Sequence, residues 1–441
     1  MIRLRSFIVL ACLAWALPAE ASKVTPITSP GGLKAWHVHE PSIPIVTINV
    51  AFRGGAATEP IGKEGLAKML ASLMDEGAGD MDSQAFQRRL QELAVALRFD
   101  SGRDSFSLSI RTLTKFRDEA VALADLALTK PRFDAEAIER IRAQVAQNIR
   151  RRSQSPDAIL SQTFFKQGFP GHPYGRSSEG SEESIKAISA EDLRSFLLGR
   201  FAKDNMVIGV VGDVDAAEAG RLLDRAFGGL PAKSLPIDVP ETRLAAGGDT
   251  LIVRRPVPQS VVMWGLPGIK RNDPDFFPVT LLNHVLGGGG FNSRLYEEVR
   301  EKRGLAYSVY SSLVPMDRTG ILLGGLGTQN ERVAESIEVL RSQLRDIAEH
   351  GIRPEELTAA KTYTAGSFAL RLDSNGAIAA TLVSLQMNDL GIDYLDRRVE
   401  LINAVTLADV QRVARQLIRP EAMFIVTVGD PQGLQATRAV E

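Results

Sequence analysis

The chain repeats itself at an offset of 217 residues, and that repeat limits the folds open to it more than any single motif does. Ala187-Ile-Ser-Ala-Glu-Asp-Leu193, running on to Asn205-Met-Val-Ile-Gly-Val-Val-Gly-Asp213, aligns without gaps to Ala404-Val-Thr-Leu-Ala-Asp-Val410, running on to Ala422-Met-Phe-Ile-Val-Thr-Val-Gly-Asp430. In each copy a Ser or Thr, Ser189 or Thr406, opens a predicted helix as its N-cap, and a β-rich apolar run closed by Gly-Asp follows. An earlier echo pairs Phe133-Asp-Ala-Glu-Ala-Ile138 with Ile352-Arg-Pro-Glu-Glu-Leu357, at an offset of 219. A period this long predicts two related domains of roughly 200 residues each.

Between the copies, residues 230–249 hold three prolines and no apolar periodicity, which reads as a linker. Strand-like runs such as Ile45–Phe52, Ser105–Arg111 and Val261–Gly265 alternate with predicted helices over 118–128, 134–152 and 331–350. Mixed order of this kind predicts an α+β fold with helices packed on one face of each sheet. The expected division is 1–21 as a leader, 22–229 and 250–441 as the two domains, and 230–249 between them.

The leader reading rests on Arg3 and Arg5, the apolar run Phe7 to Leu17, and the small-x-small pattern Ala19-Glu-Ala21. Together these predict a secretory signal peptide of bacterial type and a periplasmic protein. No later segment is apolar enough to predict a membrane anchor. The only cysteine, Cys12, falls inside that run, so His and carboxylates are the sole candidates for holding a metal. With 52 Lys+Arg against 53 Asp+Glu, the composition gives no sign of a nucleic-acid partner.

Two segments carry chemistry. The first is Gly62-Lys-Glu-Gly-Leu-Ala-Lys-Met-Leu-Ala-Ser-Leu73, an amphipathic helix behind a glycine-rich approach. It resembles the G-x-x-G-L-A-H-x-x-E-H-M signature of the insulinase/pitrilysin family, the inverzincins, whose H-x-x-E-H helix binds zinc. In that alignment the first His is Lys68, the Glu is Ala71 and the second His is Ser72. A lysine cation has no lone pair for a metal, alanine accepts no proton, and a lone hydroxyl is a poor zinc ligand. The family's further ligand is a Glu on the helix matching 134–152, which carries no acid beyond Glu139.

The second segment runs from Leu286-Gly-Gly-Gly-Gly-Phe-Asn to Arg300 and on to Gly304-Leu-Ala-Tyr307. Spacing predicts a helix over 293–303 with Leu295 and Val299 on one face and Gly304 as its stop. A strand from Ala306 to Leu313 follows, with Tyr307, Val309 and Ser311 read on one side. The two polar tips, Arg300 and Tyr307, are placed to converge across the turn. In the family, an Arg and a Tyr seven residues apart in the second domain reach the zinc site and hold the substrate, and Arg300 and Tyr307 match that pair in type and spacing. The resemblance also makes Gly287, Gly288, Gly289 and Gly290 a peptide-contacting loop, where the residues alone read as a flexible turn.

The resemblance covers essentially the whole chain after the leader. It implies two homologous insulinase-like α/β-sandwich domains in a half-clamshell. It further implies a non-catalytic subunit that donates Arg300 and Tyr307 to a homologous, H-x-x-E-H-bearing partner encoded nearby. That partner would hold the zinc, this chain would need no cofactor of its own, and the substrates would be unfolded peptides. A peptide-binding or chaperone-like module without proteolysis is the alternative. A hydrolase with its own metal site is disfavoured. His37, His39 and Glu40 share a strand but find no third ligand in the sequence, so they read as a solvated edge strand. No G-x-S-x-G or free-cysteine nucleophile is present.

Overall fold

A computed structural model describes residues 23–245 and 247–440. The predicted signal peptide, 1–21, lies outside the described residues. The first sheet is built from β1 (Thr25–Thr28), β2 (Lys34–His39), β3 (Ile45–Arg53), β4 (Ala96–Ser101), β5 (Ser105–Leu113) and β6 (Met206–Gly212), in the order β1-β2-β6-β3-β5-β4. The second comprises β7 (Thr250–Arg254), β8 (Gln259–Pro267), β9 (Ala306–Met316), β10 (Thr319–Gln329) and β11 (Phe424–Gly429), in the order β9-β10-β8-β11-β7. Without β1, the two orders are the same path traced twice. Each sheet has one parallel pair, β2 with β6 and β7 with β11, and is otherwise antiparallel.

Local sequence explains these elements. In β5 the alternation Ser-Phe-Ser-Leu-Ser-Ile buries Phe106, Leu108 and Ile110 and turns the serines to the other face. The helices used below are α1 (Leu66–Leu73), α2 (Arg117–Thr129), α3 (Ala135–Arg152), α4 (Pro156–Gly168), α5 (Ala190–Arg200), α6 (Phe276–Asn283), α7 (Val333–His350), α8 (Pro354–Gly366), α9 (Asn375–Met387) and α10 (Leu407–Leu417). The repeat extends to atomic detail at α5 and α10. Ser189 Oγ accepts from Asp192 N at 3.1 Å while Asp192 Oδ2 accepts from Ser189 N at 2.7 Å. Thr406 and Asp409 form the same reciprocal box at 3.1 and 2.9 Å.

The halves are more than two copies side by side, because each places a helix on the other's sheet. Helix α4 of the first half covers β8 and β11, burying Leu160 and Phe164 with Leu251, Phe424 and Val426. Helix α9 of the second half covers β3 and β6, burying Ala379 and Leu382 against Val38 and Val211. A glycine admits each helix. A Cβ at Gly209 in β6 would lie 2.8 Å from the Ala379 carbonyl oxygen, and one at Gly265 in β8 would lie 2.6 Å from the Phe164 ring. Polar contacts reinforce the exchange: Arg53 of β3 donates to the Met387 carbonyl at 2.8 Å, and Gln386 donates to the Ile208 carbonyl at 2.9 Å. Among the described residues, 230–245 and 247–249 have no regular structure, yet Val239 and Leu244 are buried in the same cluster as Phe164.

Strand β2 corrects one expectation. It lies between β1 and β6, not at an edge. His37 is 3 % exposed, with Nε2 at 2.9 Å from the Val214 carbonyl, so burial and not solvation defines it.

Candidate functional site

Helix α1 begins at Gly65, whose φ of +89° suits glycine alone, and its first N–H groups are satisfied by a side chain from upstream. Glu59 accepts from Gly65 N at 3.0 Å and from Ala67 N at 2.7 Å. It is 4 % exposed, and burial pushes its carboxyl up to about 8 against the lowering pull of those two N–H groups and of Arg176. The folded protein therefore holds the Glu59 proton to higher pH than the unfolded chain does. That contribution to stability is present below about pH 4.5 and is lost as pH rises through about 8. At 1.36 kcal/mol per pKa unit the swing amounts to at most ~5 kcal/mol. Thermal melts between pH 5.5 and 8.5 are expected to show a decline that Glu59→Gln flattens; an unchanged slope in the variant would assign the decline to other groups.

On α1 the three positions of the altered motif are inert toward a metal. Lys68 Nζ lies 3.9 Å from Asp100 Oδ1 of β4. Ala71 is buried at 6 % exposure, and Ser72 Oγ donates back to the Lys68 carbonyl at 3.1 Å. Helix α3, beside α1, brings Arg140 to Glu76 at 2.5 Å and no acid to the motif positions. Among the described residues, no group of three His, Cys, Asp or Glu side chains is placed to hold a metal. The residues present do not fit a zinc ion.

The second segment builds a different surface. Helix α6 runs into a wide π-helical turn, His284–Gly288, and a second such turn, Tyr296–Glu301, follows the glycine run. Turns of this type widen the helix to re-aim side chains and gather at functional sites. The predicted regular helix over 293–303 is thus corrected to a short helix dominated by this turn, closed by Gly304 at φ +59°. The glycines are more than slack. A Cβ at Gly287 would lie 2.6 Å from Ser311 N, so the turn packs directly on β9, and Gly290 sits at φ +59°. Gly288 and Gly290 are exposed, Gly289 is half-buried and Gly287 is buried.

Strand β9 corrects the predicted facing of Tyr307. Its register against β10 shifts between Ala306 and Ser308, leaving Tyr307 as the extra residue of a bulge. Val309 and Ser311 are buried at 7 % and 3 %, whereas Tyr307 is 82 % exposed on the free edge of the sheet. The bulge carries Tyr307 to Arg300, whose guanidinium carbon lies 4.8 Å from the ring centre. The two side chains are therefore brought together, guanidinium against ring.

The second ring against Arg300 was not foreseen from the sequence. Tyr296 lies under it, also at 4.8 Å, and Phe291 packs edge-on to Tyr296 at 4.9 Å. The signal available was the i, i+4 spacing of Tyr296 and Arg300 on one helix. Lys68, Ala71 and Ser72 stand in the first half and Arg300 and Tyr307 in the second. No hydrogen bond, ion pair or ring contact joins the two groups among the described residues.

Residues 35–182 match the family described as Insulinase (Peptidase family M16), and residues 187–363 match the Peptidase M16 inactive domain. A protein of Helicobacter pylori called "Non-peptidase homolog YmxG" is 26 % identical over 83 % of this chain and 85 % of its own length. A Mycobacterium leprae protein described as an uncharacterized zinc protease is 27 % identical over 91 % of this chain and 90 % of its own. Among solved structures, that of a peptidase M16 inactive domain from Pseudomonas fluorescens superposes with a TM-score of 0.87 at 27 % identity, covering 95 % of this chain and all of that one. With the repeated fold and the altered α1 motif, these matches show that the chain belongs to the insulinase family, peptidase family M16, as an inactive member.

Proposed function

We propose that this chain is the non-catalytic half of a two-chain insulinase-like zinc endopeptidase, exported to the periplasm, whose homologous partner carries H-x-x-E-H. The observation that carries the reading is the contrast between the two segments. One lacks every group that binds metal or activates water, while the other pairs a half-buried Arg300 with an exposed Tyr307.

In such a complex the partner's H-x-x-E-H residues would hold the zinc, which would supply activation of the water and of the scissile carbonyl. Arg300, with its forked N–H donors, binds a carbonyl oxygen of the extended peptide. Tyr307 directs its hydroxyl donor at the oxygen where negative charge develops. The glycine turn, with backbone close to the surface at Gly288 and Gly290, lies beside the peptide's path, and an unfolded peptide is the substrate class such a backbone-directed site accepts.

The test is hydrolysis of a quenched fluorescent peptide by this chain mixed with an H-x-x-E-H homologue, where chelator-sensitive cleavage is expected only in the mixture. Binding without any gain in cleavage would favour a peptide-binding module, the reading closer to the name "non-peptidase homolog" carried by the Helicobacter pylori relative.

A further inference from the structure

Arg300 is held in an unusual way for an arginine in a folded protein. Among the described residues, no hydrogen bond or ion pair engages its guanidinium; its recorded contacts are the faces of Tyr296 and Tyr307, each ring centre 4.8 Å from the guanidinium carbon. A planar cation set over two ring faces is restrained in orientation while its in-plane N–H donors stay available. The stack has a further member. Phe291, 76 % exposed at the end of the glycine run, meets Tyr296 edge-on at 4.9 Å. Tyr296 itself is 9 % exposed and rooted in the second half's core. The order Phe291, Tyr296, Arg300, Tyr307 therefore ties the glycine turn to the polar pair through ring contacts.

We infer that Tyr296 is a positioning residue for Arg300, with Phe291 as its brace: the ring of Tyr296 fixes the guanidinium plane so that its fork meets a carbonyl or carboxylate oxygen of the bound peptide. Tyr296 touches no substrate and acts only through Arg300. The chemistry asked of it is that of an aromatic face, so its hydroxyl is dispensable. This inference rests on the reading of Arg300 as a peptide-binding group.

The experiment uses the two-chain complex and compares Arg300→Ala, Tyr296→Leu, Tyr296→Phe and Phe291→Ala, reading kcat and KM for a fluorogenic peptide together with the melting temperature and complex stoichiometry. Tyr296→Leu is expected to lower kcat/KM about three- to thirty-fold, the size that one cation–π contact carries, and Tyr296→Phe to restore it. Because Tyr296 is buried and its truncation can unfold the site, Phe291→Ala supplies the second variant. Its exposed ring adds little to stability, and a decrease of about threefold with unchanged melting is expected.

A merely structural Tyr296 would lower the melting temperature and leave the turnover of the folded fraction intact, and that result overturns the inference. So does a Tyr296→Phe variant as impaired as Tyr296→Leu. If Arg300→Ala is impaired while Tyr296→Leu and Phe291→Ala are not, the positioning role alone falls. If Arg300→Ala turns over normally, the reading of Arg300 falls and takes the positioning role with it.

Discussion

Tyr307→Phe in the two-chain complex is expected to lower kcat by ~10²–10³, the loss that follows removal of one preorganised donor to a developing oxyanion. Assembly and thermal stability are expected to stay at wild-type values, because the Tyr307 side chain is 82 % exposed and its ring, which contacts Arg300, is retained in the substitution. The change removes a single oxygen and leaves the ring stack in place, so it separates the hydroxyl's role from that of the ring. KM is expected to move little, since an interaction formed only in the transition state appears in kcat. Turnover by the variant complex within a few-fold of wild type would remove Tyr307 from the mechanism.

The second large effect concerns the fold itself. Phe164 of α4 is fully buried, 5.2 Å from the ring of Phe424 in β11, and seated on the glycine of β8. Phe164→Ala is expected to cost ~3–5 kcal/mol, from lost apolar burial plus the cavity left behind. The informative part is where that loss is felt. Since α4 belongs to the first half by sequence and to the second sheet by packing, and α9 makes the reciprocal crossing, neither half can open without uncovering the other's sheet. Amide hydrogen exchange resolved on β3 and on β8 is expected to show protection falling in both sheets by similar amounts. A loss confined to β8 would mean that the halves open as separate units despite the exchange.

How much of this was legible in the sequence depended on whether the signal was local. The caps at Ser189 and Thr406 and the strands that follow them were readable because a cap and a β-rich apolar run are specified within a few residues. The convergence of Arg300 and Tyr307 was readable for the same reason, since a helix stop at Gly304 and a strand start at Ala306 leave little freedom to two residues seven apart. The facing of Tyr307 was not. Simple alternation groups it with Val309 and Ser311, and only the one-residue bulge against β10 turns it outward. The crossing of α4 and α9 was hidden because both helices are apolar with weak periodicity, and nothing within 156–168 or 375–387 says which sheet each will cover. Glu59 was missed because it caps α1 from outside the usual N-cap position, six to eight residues before the N–H groups it accepts from. His37 was assigned to solvent because β1, a strand of only four residues, was not anticipated beside it.

The altered motif on α1 and the intact pair, Arg300 before β9 and Tyr307 on it, together make one claim, that this chain contributes to peptide hydrolysis without metal of its own. The most direct measurement is cleavage of a quenched fluorescent peptide by this chain alone, by an H-x-x-E-H homologue alone and by the two mixed, each with and without a chelator. No cleavage is expected from this chain alone or from the homologue alone, and chelator-sensitive cleavage is expected only in the mixture. Chelator-sensitive cleavage by this chain alone would contradict the reading of Lys68, Ala71 and Ser72 as a metal-free site, and a mixture no faster than the homologue alone would contradict donation of Arg300 and Tyr307 in trans.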